Sequence, residues 1–105
     1  MNELRKHRRQ RIRRVGKIVA PNGTRPINCI ILDVSDGGAL LLPETDAMGN
    51  TLPVPDAFHL IYRAKKMLYE AVVVRRAVKT LGVRFLSSCD LLTTTDERFA
   101  ELRQL

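Results

Sequence analysis

Apolar and polar residues alternate with a period of two along most of the chain, which is the spacing of half-buried β-strands. Six segments show this pattern or are rich in β-branched residues: 15–20, 27–34, 39–43, 57–63, 68–78 and 81–86. In the last segment Leu81, Val83 and Phe85 share one face, and Arg84 points to the other. Segment 27–34 is apolar almost throughout, so we expect a central strand there.

Turn-forming residues separate these segments. Asn22-Gly23 readily adopts positive φ, which favours a tight turn. Two further short turns are expected at Ala64-Lys65-Lys66 and at Lys79-Thr80, and residues 44–56 are expected to form a long loop. No helical pattern intervenes between the first and the last segment. Strands joined in this way predict an antiparallel sheet that is closed, or nearly closed, into a barrel, because closure removes exposed strand edges.

The end of the chain has a different period. Thr94, Thr95, Asp96 and Glu97 suit the first turn of a helix, and Phe99, Leu102 and Leu105 recur at helical spacing. We expect an α-helix at about 95–104 that packs on the barrel.

Composition indicates one globular domain of 105 residues with a mainly aliphatic core, because the chain has two Tyr, three Phe and no Trp. No apolar run is long enough to span a membrane, and no signal-peptide pattern follows the basic N-terminus. Cys29 falls in an apolar run and is expected in the core, and Cys89 falls in a polar loop. Neither lies at metal-ligand spacing, so we predict a cytoplasmic protein without a metal site.

Positive charge is concentrated at the N-terminus. Residues 5–14 hold seven cations and no acid, whereas the rest of the chain balances eleven cations against eleven acids. We therefore divide the chain into a basic arm at 1–14 and a barrel at 15–105 that includes the C-terminal helix. Such an arm can bind nucleic acid, rest on anionic lipid or fold back to clamp a small anion. Lipid is the weakest of these, because only Leu4 and Ile12 could insert.

The loop DVSDGG at 33–38 is a second candidate for chemistry. Asp33 and Ser35 leave the end of a strand on the same side, and Gly37-Gly38 allows a tight turn and the close approach of a ligand. A carboxylate can accept two N–H donors at once, which is what the N1–N2 edge of guanine presents. The alternative is a hairpin turn in which Asp33 and Ser35 bond only nearby backbone amides.

Arginines of the arm supply complementary groups. Arg5, Arg9 and Arg13 follow one another at intervals of four residues. A guanidinium can hold a phosphate through two N–H donors or stack on a base. Two or three such contacts together with the carboxylate would supply about 8 kcal/mol, the level of a micromolar ligand.

These motifs together resemble PilZ domains, a family of bacterial receptors for cyclic di-GMP. The family's signature is RxxxR in an N-terminal arm followed by [D/N]xSxxG, and Asp33, Ser35 and Gly38 match the second part. The segment GVRF at 82–85 is similar to the last core strand of the family. The resemblance implies a six-stranded antiparallel barrel with a C-terminal helix, no catalysis and no cofactor.

The resemblance also implies the ligand contacts. The RxxxR arginines would bind phosphates and guanine faces, Asp33 and Ser35 would bind a guanine edge, and Gly38 would leave room for the base. Arg8, Arg13 and Gly37 are additional candidates.

Two RxxxR frames are present in the arm. We prefer Arg5/Arg9 to Arg9/Arg13, because the motif lies several residues ahead of the first strand in similar sequences. In this family the residue before the first arginine tends to correlate with the number of ligand molecules that each chain binds. Leu4 in the preferred frame implies one ligand per chain, and Arg8 in the other frame implies two.

Three other functions compete with this one. A nucleic-acid-binding barrel would need exposed aromatic residues for stacking, but all five aromatics fall in predicted strands or the helix. An enzyme would need a catalytic motif, and neither His7 nor His59 belongs to one. A PilZ-like protein-interaction module that no longer binds ligand is the third, and the intact signature argues against it.

The predicted mechanism is a switch. The self-repelling arm is expected to be disordered until ligand phosphates neutralise it and fold it beside DVSDGG. The reshaped surface would then be recognised by an effector protein that the sequence does not identify. We expect a monomer or weak homodimer that neither inserts into a membrane nor binds nucleic acid.

Overall fold

A computed structural model describes residues 10–21 and 25–90. Residues 1–9, the turn at 22–24 and the predicted C-terminal helix lie outside the described residues. The candidate contacts Arg5, Arg8 and Arg9 are therefore not described, whereas Arg13 and the loop DVSDGG are.

Six strands make up most of the described chain, and they close into a barrel. The strands are β1 Gln10–Val19, β2 Ile27–Val34, β3 Gly38–Pro43, β4 Ala57–Tyr62, β5 Met67–Arg76 and β6 Leu81–Asp90. Every neighbouring pair is antiparallel, in the order β1-β2-β3-β6-β5-β4, and β4 pairs with β1. The prediction of a six-stranded antiparallel barrel is confirmed.

Several strand boundaries differ from those expected. β1 begins at Gln10 rather than at residue 15, so residues 10–14 of the basic arm are strand. Ile12 packs against the core while Arg13 is exposed, and a strand with one solvated face accommodates such charges. β6 continues to Asp90 through four polar or small residues, where Ser87 Oγ donates to Glu70 Oε1 of β5 at 3.1 Å.

A short 3₁₀ helix at Arg63–Lys65 joins β4 to β5, where the sequence predicted only a basic turn. It ends at Lys66, whose φ of 54° lies in the left-handed region, and the Lys66 amide donates to the Arg63 carbonyl. The long loop between β3 and β4 contains an isolated bridge between Thr45 and Thr51.

The core is aliphatic, as expected, and fills the barrel interior. Its largest fully buried side chains are Phe58, Ile18, Ile31, Leu41 and Leu60, and no polar or charged residue among those described is buried. Ile61 is buried in a separate small cluster with Val19 and Leu68. Cys29 is part of the main core. Burial raises the pKa of its thiol to about 12, an effect that the charge of Lys17 opposes, so Cys29 is a neutral packing residue.

β2 carries an irregularity at Leu32 that affects both neighbouring strands. Toward β1, the pairs Arg11–Asp33 and Arg14–Ile31 leave two β1 residues opposite Leu32 alone. Toward β3, Leu32 has no counterpart between the Ile31–Leu41 and Asp33–Leu40 pairs. Such bulges shift the alternation of faces. Ile31 and Val34, three residues apart, are therefore both buried, and Asp33 lies next to Val34 on the outer side.

Candidate functional site

The loop DVSDGG connects β2 to β3 as a closed turn. The Ser35 amide donates to the Gly38 carbonyl at 2.8 Å. The Ser35 hydroxyl donates to the same carbonyl at 3.4 Å, and it accepts from the Gly37 amide at 3.3 Å. Hydroxyl bonds of this length are weak compared with the usual ~2.8 Å. Ser35 therefore shapes the turn mainly through its backbone, and its hydroxyl is held loosely.

Asp33 lies just before the turn. The bulge at Leu32 shifts the alternation of inward and outward side chains along β2 at this point. In the ladder Asp33 lies opposite Arg11 of β1 on one side and Leu40 of β3 on the other. It is partly buried and already has an interaction partner. Without the extra residue, alternation from buried Ile31 would turn position 33 into the core. The bulge is thus what makes this carboxylate available outside the barrel.

Gly38 packs directly on β6. A Cβ at this position would lie 2.2 Å from the carbonyl oxygen of Val83, closer than any real contact. One residue earlier, the Gly37 carbonyl accepts from the Phe85 amide at 2.9 Å. The sequence suggested that Gly38 leaves room for a bound base. The geometry gives a different reason for the glycine, which is the close approach of the β6 backbone.

The arm leaves the barrel beside this loop. Gln10, the first residue of β1, pairs with Val34, and Val34 immediately precedes Ser35. Arg9 is therefore joined to a residue that is already fixed next to the turn. Arg13 is exposed on β1 in the bulged region opposite Leu32. The topology thus brings the C-terminal end of the arm and the loop DVSDGG to the same part of the barrel.

A pair of stacked aromatic rings lies behind the loop, which the sequence did not indicate. The rings of Tyr69 in β5 and Phe85 in β6 have centroids 4.0 Å apart and planes inclined by 13°. Burial raises the pKa of Tyr69, and nearby Tyr62 and Asp36 raise it further. The bond from the Phe85 amide to the Gly37 carbonyl places this ring pair next to the turn. The signal was hard to find because the two rings are sixteen residues apart and become adjacent only through β5–β6 pairing.

An apolar groove in the described part of the molecule lies elsewhere. It has a volume of about 500 Å³ and is lined mostly by apolar surface. Val15, Ile30 and Leu42 form one register row across β1, β2 and β3 at its floor, and Lys79 stands at its edge. This groove is toward the opposite end of the β2–β3 hairpin from DVSDGG and does not include the candidate residues.

The one histidine among residues 10–21 and 25–90 lies away from the loop. His59 lies in β4, which neighbours neither β2 nor β3 in the barrel. Within residues 10–21 and 25–90, no cluster of His, Cys, Asp and Glu could hold a metal ion.

Over those same ranges there is no helix with the length and apolar character needed to cross a membrane.

Comparison with known proteins gives one family. No curated protein matches the chain. Residues 3–95 match the model of the PilZ domain, and this range includes most of the arm, all six strands and the loop DVSDGG. PilZ domains are binding and adaptor modules rather than enzymes, and the family is known as a receptor for cyclic di-GMP. Since the match extends over most of the 105 residues, the chain belongs to the PilZ domain family.

Proposed function

We propose that this PilZ domain is a receptor for cyclic di-GMP that binds its ligand between the arginine arm and the loop DVSDGG. In this proposal Arg5 and Arg9 bind phosphates and guanine faces, and Asp33 and Ser35 bind the edge of a guanine. Arg8, Arg13 and Gly37 are additional candidates.

The observation that carries the proposal is the pairing of Gln10 with Val34. It anchors the base of the arm one residue from Ser35, so Arg9 needs no long excursion to reach a ligand at the loop. Holding a group near its target lowers the ordering cost of a contact. Residues 5–14 hold seven cations, which favours a dianionic ligand at this end of the barrel.

The loop geometry is compatible with these roles. Asp33 lies on the outer side of the barrel and can accept two donors from one base edge. The long bonds of the Ser35 hydroxyl cost little to exchange for a ligand contact. Gly38 acts indirectly, because it lets the turn rest on β6.

Nucleic acid binding is less well supported. Of the aromatic residues in the described chain, Phe58 and Tyr62 are buried and Tyr69 and Phe85 are partly buried in the ring stack. Single-stranded nucleic acid is usually held on exposed aromatic faces. The barrel therefore offers no such surface within residues 10–21 and 25–90.

The output of the receptor is proposed to be an effector protein that recognises the surface formed when the arm closes over the ligand. We also place the protein in the cytoplasm. Cys29 and Cys89 are both free thiols, which is usual in a reducing compartment.

Isothermal titration calorimetry with cyclic di-GMP tests the proposal. We expect saturable binding at about micromolar affinity, as estimated from two or three charged hydrogen bonds and a carboxylate. Arg9→Ala and Asp33→Ala should each abolish measurable binding, because each removes a charged group from the site. Arg63→Ala, which removes one positive charge from the exposed 3₁₀ helix, is the matched control and should bind like the wild type.

Stoichiometry from the same titration distinguishes the arginine frames. One ligand per chain supports Arg5/Arg9 preceded by Leu4, and two support Arg9/Arg13 preceded by Arg8. If the folded wild type releases no heat and fails to bind in equilibrium dialysis, the receptor function is wrong.

A further inference from the structure

A single register row runs from Asp33 across the outer surface of the barrel. Asp33 pairs with Leu40 of β3, Leu40 pairs with Gly82 of β6, and Gly82 pairs with Arg75 of β5. Neighbouring strands are about 4.8 Å apart, so Arg75 begins about 14 Å from Asp33. Long side chains at the two ends can therefore approach a common ligand lying over the middle of the row.

The members of this row face outward. Leu40 lies between buried Ala39 and Leu41, and Gly82 lies between buried Leu81 and Val83. Since successive side chains of a strand alternate between faces, both positions are on the outer surface. A Cβ built on Gly82 would lie 3.4 Å from the Cβ of Arg75, so Arg75 starts on that same surface.

A second arginine flanks the row. Arg84 follows Gly82 by two residues on β6, so it shares the outer face, and it pairs with Gly38 of the loop. Arg75 and Arg84 are both exposed, whereas their neighbour Arg76 donates to Asp56 Oδ1 at 2.7 Å. In the described part of the chain, no ion pair engages Arg75 or Arg84.

The surface between the charges is low and uncharged. Gly82 has no side chain and Leu40 is half-buried, so the two form a shallow apolar floor. Asp33 is on one side of this floor, and the two arginines are on the other. A flat ligand that offers donors at one end and anionic or aromatic groups at the other complements this arrangement.

We propose that Arg75 and Arg84 form the far side of the ligand site and contact the half of the dinucleotide that is distal to Asp33. The inference rests on the proposed function. The guanine held by Asp33 lies at the near side, and the sugar-phosphate ring and second base extend over Leu40 and Gly82. The guanidiniums then bind phosphate oxygens or stack on the second base.

The test is titration of cyclic di-GMP into Arg75→Ala, Arg84→Ala and the double variant. Each single change should weaken the affinity about tenfold, and the double change should weaken it more. Arg75→Lys and Arg84→Lys should restore only part of the loss, because Lys keeps the charge but lacks the planar fork. Arg63→Ala is again the control for loss of one exposed charge and should stay within about twofold, as expected for a distant charge in moderate salt.

Thermal melting without ligand distinguishes an effect on binding from an effect on folding. All of these variants should have the melting temperature of the wild type, because the substituted side chains are exposed. If the wild type binds and both alanine variants bind like Arg63→Ala, the far side of the site is wrong and the receptor function stands. If the wild type itself does not bind, both proposals fall.

Discussion

At position 38 the backbones of β3 and β6 approach closely, and the absence of a side chain there is what allows it. The built Cβ would meet the Val83 carbonyl oxygen, which belongs to the backbone of a paired strand and cannot rotate away. A Gly38 substitution therefore has an effect on folding before any effect on a ligand. Loss of binding in such a variant would not demonstrate a ligand contact.

Gly38→Ala is expected to lower the free energy of unfolding by about 1–3 kcal/mol, the usual cost of overpacking. Urea denaturation followed by circular dichroism measures the change. Gly82→Ala is the matched control on the neighbouring strand, since its new Cβ would make only an ordinary contact with Arg75 at 3.4 Å. Equal stability of Gly38→Ala and the wild type would contradict the packing role.

Among the elements, the β2–β3 turn depends on β6 for its position. The Phe85 amide holds the Gly37 carbonyl, and the Phe85 ring stacks on Tyr69 of β5. β5 and β6 thus support the turn from behind, while β1 delivers the arm to its side. The surroundings of the loop therefore depend on β1, β5 and β6 together, and not on the loop sequence alone.

Phe85→Leu should lower the free energy of unfolding by about 1–2 kcal/mol, because stacked aromatic pairs contribute about 0.5–1.5 kcal/mol beyond burial and the smaller side chain leaves space. Tyr69→Phe keeps both rings and should stay within about 0.5 kcal/mol of the wild type. Chemical denaturation of the two variants side by side measures both. Similar losses in both would show that the Tyr69 hydroxyl, and not the stack, carries the stability.

Local patterns predicted the strands and the turn, but not the contacts between distant strands. Segment 27–34 is apolar almost throughout, so its composition could not reveal that Leu32 is bulged or that Asp33 is turned outward. The pattern did not indicate the start of β1, because three of the five residues at 10–14 are arginines and Ile12 is the single core residue among them. The sequence motif singled out Gly38 as a ligand-site residue, which stays a prediction, but it could not show the packing on Val83, forty-five residues later.

Across the whole molecule, the excess positive charge and most of the barrel belong to different parts of the chain. Beyond residue 14 the chain is nearly neutral, with eleven cations and ten acids, whereas residues 5–14 hold seven cations and no acid. β1 connects the two regions, since its first residues belong to the charged segment and its last residues close the barrel with β4. An anion bound at the arm would therefore lie next to β1, the strand that pairs with both β2 and β4.

Salt dependence should distinguish a small ligand from a polyanion. Between 50 and 200 mM NaCl we expect the affinity for cyclic di-GMP to fall by about tenfold or less, because the ligand has only two phosphates. A nucleic acid duplex contacted through six or more phosphates would lose about 10³-fold or more over the same range. Fluorescence anisotropy with labelled ligand and labelled duplex measures both. Tight duplex binding at 200 mM NaCl without binding of cyclic di-GMP would support a nucleic acid function instead.

The closed order of the six described strands also limits how a partner can attach. Each strand pairs with two neighbours over at least part of its length, so none of the six is an edge strand that is open along its whole length. We therefore expect recognition of this barrel to come mainly from side chains on its outer surface. Specificity for an effector would then change through single surface substitutions, without any change to the backbone that holds the ligand site.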